Sequence, residues 1–472
     1  MSREAAALHT RDPIDRLDRP ATTADEAGLA RIWEELTAIP AHPELAADTA
    51  PGPSLAAALH VVDDGILAKG PGSVRSVPSA GAIFPYDVLV LDRSGPGPAV
   101  LYRLNLDRRL CVRTAAGAPL AEALAGTTGS DRSVLVLLAV RPWLSIRKYG
   151  PRGYLYAQID AGHAATNLLG TALDRGTARL RLALPRRRLA EALADHLPWR
   201  EVHSVLELDA PRTPAAAPPD GWSYLHQEQP APLESAGYLE SVCWARIPRL
   251  LADGPDHHRL TTRTVVESGP LLPAAAGIEP GEWTGLSRRR RSSKRFGRQP
   301  LDPAVLLDCV GALMTALPCD LTGSGFGVTV LTPPGRITAP GDNPPGAPDF
   351  VGTAFVTDTA AIARACTGQS HLAGADAFVL LHADRASTLG TGPDPLREAV
   401  FRSAAAAHLL YLGAARNAVG VTGVGGFDAA QWLAAAGLDH TRELLYVVAL
   451  GNDRDDARKL DRAEIAYAQG ER

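Results

Sequence analysis

The strongest constraint on how this chain folds is an internal repeat. The segments GHAATNLLGTALDRG (Gly162–Gly176) and SAAAAHLLYLGAARN (Ser403–Asn417) align without a gap. Both read as small-residue helices with apolar positions at helical spacing, such as Leu409, Leu412 and Ala415. Continued gap-free, the first copy passes through a second helix to SVLEL (Ser204–Leu208), and the second copy runs to ELLYVVAL (Glu443–Leu450). Both endings read as strands. Upstream, YDVLVL (Tyr86–Leu91) and GVTVL (Gly327–Leu331) match at nearly the same offset. One α/β unit is therefore expected twice. The competing explanation is convergence between Ala-rich helices.

The punctuation of the chain agrees with two bodies. Ala210–Pro232 is Pro/Ala-rich and reads as a linker, and Gly269–Gly285 is a second Gly/Pro-rich stretch. Tyr238–Leu251 between them reads as a helix, and Leu29–Leu36 as an amphipathic stretch near the N-terminus. The expected organisation is an N-terminal extension (1–50), a first domain (51–209), a linker with a helical element (210–285) and a second domain (286–472). With 46% hydrophobic residues the chain can bury a sizeable core.

Composition removes several function classes. A formal net charge of -4 argues against a basic nucleic-acid footprint. No apolar run reaches the roughly 18 residues of a membrane span. The segment MSREAAALHTRDPIDRLDRP lacks the apolar core of a signal peptide, so a cytoplasmic location is expected. Five cysteines without close pairing fit free thiols. Asp256-His257-His258 has no second ligand cluster, and no metal is expected.

Four motifs carry chemical potential, and each has a plain reading beside it. Arg290-Arg291-Ser292-Ser293-Lys294-Arg295-Phe296 precedes a Pro-initiated helix (Asp302–Leu317) and offers phosphate donors, or is a solvated charge run. Pro78-Ser79-Ala80-Gly81-Ala82-Ile83-Phe84-Pro85 opens the strand at Tyr86. Its small residues let backbone approach a flat ligand, or form an ordinary turn. Lys148-Tyr149, followed by Arg152-Gly153-Tyr154, supplies a proton-transfer couple, a cation favouring a nearby phenolate, or is a surface loop. Gly423–Asp428 is read as lying between two helices, where backbone N–H groups meet a ligand edge or simply turn.

Together, in this order, the motifs resemble the nitroreductase-like flavoprotein superfamily. The superfamily's Arg-x-Ser-x-Lys/Arg-x-Phe pattern is matched by Arg290, Ser292, Lys294 and Phe296. Its Pro-Ser-x-Gly loop is matched by Pro78–Gly81, and its Gly-Gly-Phe-Asp turn by Gly425–Asp428. More narrowly, Lys148-Tyr149, Arg152–Tyr154 and Ala161–His163 resemble the azoline dehydrogenases that aromatise thiazoline or oxazoline rings in peptides of the streptolysin S type. The resemblance implies an α+β fold of two tandem nitroreductase-like domains, each a mostly antiparallel sheet flanked by helices, paired as an intramolecular pseudo-dimer.

Members of that family are usually homodimers whose FMN takes residues from both subunits. Here the two copies have lost complementary parts. The first keeps the Pro-Ser loop and the Lys-Tyr pair, but carries APGPSLAA (Ala50–Ala57) for the cation cluster and Leu184-Pro185-Arg186-Arg187 for the glycine turn. The second keeps cluster and turn, has Pro318-Cys319-Asp320-Leu321 for the loop, and lacks a Lys-Tyr pair in His382–Leu396. One working FMN site and one degenerate site are expected.

The resemblance implies a role for each residue. Arg290, Ser292 and Arg291 hold the FMN phosphate and ribityl chain; Lys294 faces the pyrimidine end of the ring system; Gly425 and Gly426 offer N–H groups; Pro78, Ser79, Ala80 and Gly81 line the flavin; Arg454 is a further phosphate contact. Tyr149, coupled to Lys148, removes the substrate proton. The expected partners are an azoline-containing precursor peptide and a cyclodehydratase, with molecular oxygen as electron acceptor. The alternatives are another oxidoreductase of the superfamily, such as a nitroreductase or a peptide α,β-dehydrogenase, and a catalytically silent scaffold subunit. Only four of the 48 Lys+Arg residues are lysines, and two of them, Lys148 and Lys294, fall inside these motifs.

Overall fold

The computed structural model describes residues 46–47, 52–67, 75–128, 133–176, 178–194, 197, 200–208, 217–226, 265–266, 278–279, 281–297, 299–320, 325–337, 348–389, 393–453 and 458–459. The expected helices at Leu29–Leu36 and Tyr238–Leu251, the Asp256-His257-His258 run and Arg454 lie outside them.

Two sheets organise the described chain. The first draws on β1 (Ala46–Ala47), β2 (Tyr86–Asp92), β3 (Val100–Asn105), β4 (Leu110–Thr114), β5 (Val134–Val140), β6 (Ala178–Arg181), β7 (Glu201–Leu208), β8 (Ser223–His226) and β9 (Val265–Val266). Its order is β1-β8-β4-β3-β2-β5-β7-β6-β9. A two-stranded ribbon joins β10 (Ser292–Ser293) to β16 (Arg458–Lys459). The second sheet uses β11 (Gly327–Thr332), β12 (Asp349–Gly352), β13 (Ala377–Asp384), β14 (Gly420–Val424) and β15 (Arg442–Gly451), in the order β12-β11-β13-β15-β14.

The central runs of the two sheets match strand for strand. β2-β5-β7-β6 and β11-β13-β15-β14 are antiparallel throughout. Each has one register shift, at Leu138/Ala139 in the first and Leu381/His382 in the second. A bulge is a specific local device, so its recurrence on the same rung is a strong correspondence. The first sheet adds β3, β4 and β8 as an extra wing, which the sequence pattern did not announce.

The main helices are α1 (Pro53–Gly65), α2 (Gly153–Leu173), α3 (Glu282–Arg289), α4 (Pro303–Asp320) and α5 (Pro393–Arg416). The helix expected at Asp302–Leu317 is α4, and it continues through Asp320. α2 is buried on nearly every side, which explains why its sequence is Ala-, Gly- and Leu-rich all round rather than amphipathic. It crosses α5 so closely that a Cβ on Gly162 would lie 2.5 Å from that of Ala404. The two helices exchange core residues. Ile159 of α2 packs into the core of the second sheet, while Phe401 and Ala405 of α5 pack into that of the first. Ile159 and Phe401 each contribute about 1.5–3 kcal/mol by leaving water.

Asn167 and His408 are counterparts in the gap-free alignment, 241 positions apart, and they touch: His408 Nε2 lies 3.0 Å from Asn167 Oδ1. Counterparts in mutual contact are the mark of an isologous, two-fold interface. Asn167 is its polar hub, accepting also from Trp283 Nε1 (2.8 Å) and Ser287 Oγ (2.6 Å) and donating to the Gly65 carbonyl (2.5 Å). Both sheets lie within one compact unit, residues 46–472.

Candidate active site

One cavity of about 630 Å³ gathers most of the residues that the motifs single out. Pro78, Ser79, Ala80 and Gly81 wall it from the first half, beside Lys148 and Tyr149. Arg290, Ser292, Gly425 and Gly426 wall it from the second.

The Pro-Ser loop is tied down at its start. Ser79 Oγ accepts from the Phe84 N–H (2.8 Å) and donates to Asp160 Oδ2 (2.5 Å), and the Ala80 N–H reaches the same carboxylate at 3.1 Å. Asp160 projects from α2 and is buried. Burial pushes its carboxyl up to about 7, while the bonds from Ser79 and Ala80 pull the other way. Gly81 follows at φ 65, in the left-handed region.

Lys148 and Tyr149 occupy the last turn of a helix, Pro142–Tyr149, rather than a surface loop. Proline at its start and Gly150 at φ 62 at its end define that helix, and cations suit its C-terminal turn. Both side chains converge over Gly81: a Cβ built there would lie 2.4 Å from Lys148 Nζ and 2.5 Å from Tyr149 Oη. The Tyr149 ring meets Tyr156 edge-on, with centroids 5.0 Å apart.

The first half also grips the glycine turn of the second. The Tyr156 hydroxyl donates to the Gly425 carbonyl, and Arg152 stacks on Phe427 (4.1 Å) while donating to its carbonyl (3.0 Å). Gln369 Nε2 donates to the Gly426 carbonyl at 3.1 Å. The turn links β14 to the helix Ala429–Ala435, so the reading of Gly423–Asp428 as interhelical is corrected. Gly420-Val421-Thr422-Gly423-Val424 is a strand whose glycines masked it, held by its ladder to β15.

Arg290 is 2% exposed. It donates to the carbonyls of Ser76 (3.1 Å) and Arg75 (3.0 Å) and to Ser292 Oγ (3.3 Å), bridging the two halves. Ser292 Oγ lies 3.2 Å from Tyr411 Oη, which accepts from the Gly423 N–H (2.9 Å). Behind this wall, His163 packs against Tyr411, Tyr446 and His408 at 5.7–6.0 Å. Burial holds its imidazole well below the ordinary range, so it is neutral near pH 7.

Two of the singled-out cations stand elsewhere. Arg291 donates to the carbonyls of Arg288 (3.0 Å) and Arg290 (2.9 Å) and does not wall the cavity. Lys294 is exposed and also absent from the wall. Conversely, Tyr156, Ile159, Asp160, Thr367, Gln369, Thr422, Tyr411 and Tyr446 line the cavity without having been singled out. Tyr156 and Asp160, one turn apart within the motif leading to Ala161–His163, carried a usable signal: two polar residues on one stripe of an apolar helix. Thr367 and Gln369 had none.

No family model and no curated protein matches the sequence. Among solved structures, the chain resembles a candidate nitroreductase from Anabaena variabilis, at 17% identity and a TM-score of 0.57, over 86% of this chain and 90% of that one. The fold is nitroreductase-like. At that identity the likeness is one of fold. Shorter alignments reach a candidate nitroreductase from Desulfovibrio desulfuricans in complex with FMN (19% identity, TM-score 0.28, 39% of this chain and 92% of that one). Another reaches the E. coli microcin synthetase McbBCD complex with truncated pro-MccB17 bound (18%, 0.29, 44% and 92%).

Proposed function

We propose that this chain is an FMN-dependent oxidoreductase that converts azoline rings of a ribosomally made peptide into azoles. The observation that carries the reading is the convergence of Lys148 and Tyr149 over Gly81, in the same cavity as Arg290, Ser292 and the glycine turn of the other half.

The residues present fit the cofactor. Arg290 and Ser292 are the donors suited to its phosphate, and a guanidinium with a hydroxyl beside it is a good anion set. Gly81, Gly423, Gly425 and Gly426 line the same cavity, and Tyr156, Tyr411 and Tyr446 add aromatic wall. The volume lies within the roughly 300–1,000 Å³ of cofactor-sized sites. Since the loop and the phosphate donors come from opposite halves, one FMN per chain is expected. FMN, when bound, supplies a two-electron hydride acceptor.

Aromatising an azoline removes a hydride from one ring carbon and a proton from its neighbour, leaving a new double bond. Tyr149, coupled to Lys148, takes the proton. Its rigid helix end and the Gly81 seat hold the hydroxyl at a fixed point of the wall, where positioning is worth most. Molecular oxygen is the proposed final acceptor, and a cyclodehydratase that forms the azoline is the proposed partner.

Tyr149→Phe or Lys148→Ala is expected to lower the rate of flavin bleaching by a thiazoline-bearing peptide about 10²–10⁴-fold. The purified protein should stay yellow. A colourless variant would mean that these side chains hold the cofactor instead. A flavin-to-chain ratio near two, read by absorbance after heat release, would sink the single-site arrangement. Rapid reduction by NAD(P)H with no reaction towards azolines would favour a nitroreductase.

A further inference from the structure

Asp160 has no assigned role, yet it is the only carboxylate among the described residues that wall the cavity. Its two oxygens take the Ser79 hydroxyl and the Ala80 N–H, and the same Ser79 oxygen takes the Phe84 N–H. The loop from 79 to 84 is thereby closed on itself and pinned to α2. The next residue along, Gly81, is the one over which Lys148 Nζ and Tyr149 Oη converge. A displaced loop would remove the floor beneath both side chains.

We propose that Asp160 is a positioning residue: through Ser79 and Ala80 it fixes the height of Gly81, and so the placement of Lys148 and Tyr149. This rests on the reading of that pair as the proton-transfer couple. A second observation supports it. The alignment that pairs Gly162 with Ser403 pairs Asp160 with Phe401, which is buried in apolar surroundings. In that half Pro318, Cys319 and Asp320, which stand in the loop's place in the alignment, belong to the preceding helix. Among the described residues, the carboxylate and the loop's opening residues are replaced together.

The test uses the full chain and amide hydrogen exchange of residues 78–84, alongside flavin bleaching by a thiazoline peptide. Above pH 7, protection of the Ala80 amide in Asp160→Ala should fall about 10- to 100-fold, the loss expected for a hydrogen bond to a charged acceptor. Asp160→Asn, which keeps one acceptor oxygen, should fall less, and Lys148→Ala should leave protection unchanged. Bleaching in Asp160→Ala should slow about 100-fold, the cost of a displacement near 1 Å. FMN content and the half-saturating peptide concentration should stay within about twofold, since a positioning role acts on kcat more than on KM.

Unchanged amide protection in Asp160→Ala would overturn the clamp. Lost protection with normal bleaching would overturn the positioning role. Should Asp160→Ala fail to fold, Asp160→Asn is read in its place at the Ala80 amide, with a smaller fall expected. If the wild-type chain binds FMN but oxidises no azoline, the proposed function fails, while the exchange measurement still decides whether Asp160 holds the loop.

Discussion

The two crossing helices α2 and α5 occupy matching places and hold opposite contents. Where α2 presents Tyr156 and Asp160 to a cavity, the alignment gives α5 Arg397 and Phe401. Arg397 Nε meets Glu201 at 3.0 Å, and Glu201 also takes the Tyr154 hydroxyl (2.8 Å) and Gln158 Nε2 (3.2 Å). On the rung beside the bulge, β15 carries the cavity-lining Tyr446, while β7 carries the small Ser204. Tyr411 likewise pairs with Gly170, whose missing side chain makes room for the Trp283 indole. Of two related sites, each drawing on both copies, one keeps open space and reactive side chains, while the other has spent the matching positions on closure.

If that division holds, the closed side should be the costlier one to disturb. Glu201 is 1% exposed at its side chain and Arg397 11%. Glu201→Gln removes the buried carboxylate that Arg397, Tyr154 and Gln158 share, at a cost of about 3–5 kcal/mol. Urea unfolding reads this as a lowered midpoint. The double variant Glu201→Leu with Arg397→Met should recover most of the loss, because a buried ion pair exchanged for packing is often close to neutral. A single substitution costing under about 1 kcal/mol would mean that this side is not the anchored one.

Much of this contrast was legible in the residues and part was not. The repeat could be read because two helices crossing at Gly162 and Ala404 must both stay small-sided, and that requirement leaves a pattern. β2, β7, β11 and β15 were legible as apolar runs. β14 was not, because Gly420 and Gly423 read as a turn until the ladder to β15 is known. The loop, the Lys-Tyr pair, Arg290, Ser292 and the glycines were found by type and order, and the fold brings them to one cavity. Lys294 matched the motif equally well and lies exposed, since alternation along an extended segment is settled by tertiary pairing rather than by residue type. Asp160 was passed over despite sharing a stripe with Tyr156, because taken alone a carboxylate in an Ala-rich helix looks the same whether it holds a loop or meets a core polar group.

Titration separates the two sides next. His203, whose ring lies 6.2 Å from that of Phe401, and His408 are both held down to about 3 by burial first, with nearby arginines adding to it. The native state therefore binds fewer protons than the unfolded chain between pH 6.5 and about 3, and stability is lost as pH falls through that window. Asp160 has the opposite sign. Its carboxyl is raised to about 7, so the native state binds more protons than the unfolded chain above pH 3.8, and ionisation costs stability as pH rises towards 7. The two trends oppose each other from about pH 4 to 6.5. Asp160→Asn should make stability climb more steeply with pH, by up to about 1.4 kcal/mol per unit, and His203→Gln should flatten the climb. Urea midpoints of the flavin-free chain from pH 4 to 7.5 measure both slopes. Parallel profiles for wild type and Asp160→Asn would show that Asp160 does not titrate in this range.

The smallest effect is expected on the open side. Tyr156→Phe keeps the ring that meets Tyr149 and removes only the hydroxyl donated to the Gly425 carbonyl. That carbonyl belongs to a residue on a cavity wall, so water can replace the lost donor, and the net loss should be about 0.5–1.5 kcal/mol. The matching substitution on the closed side, Arg397→Met, removes the cation paired with the buried Glu201 carboxylate and should cost about 3–5 kcal/mol. The ratio between the two is the sharper measurement, because both positions sit on equivalent turns of crossing helices and share their backbone context. Equal losses would mean that the cavity is as tightly braced as its filled counterpart. A loss confined to Arg397 would show that the closed site carries the stability that lets the open one keep its space.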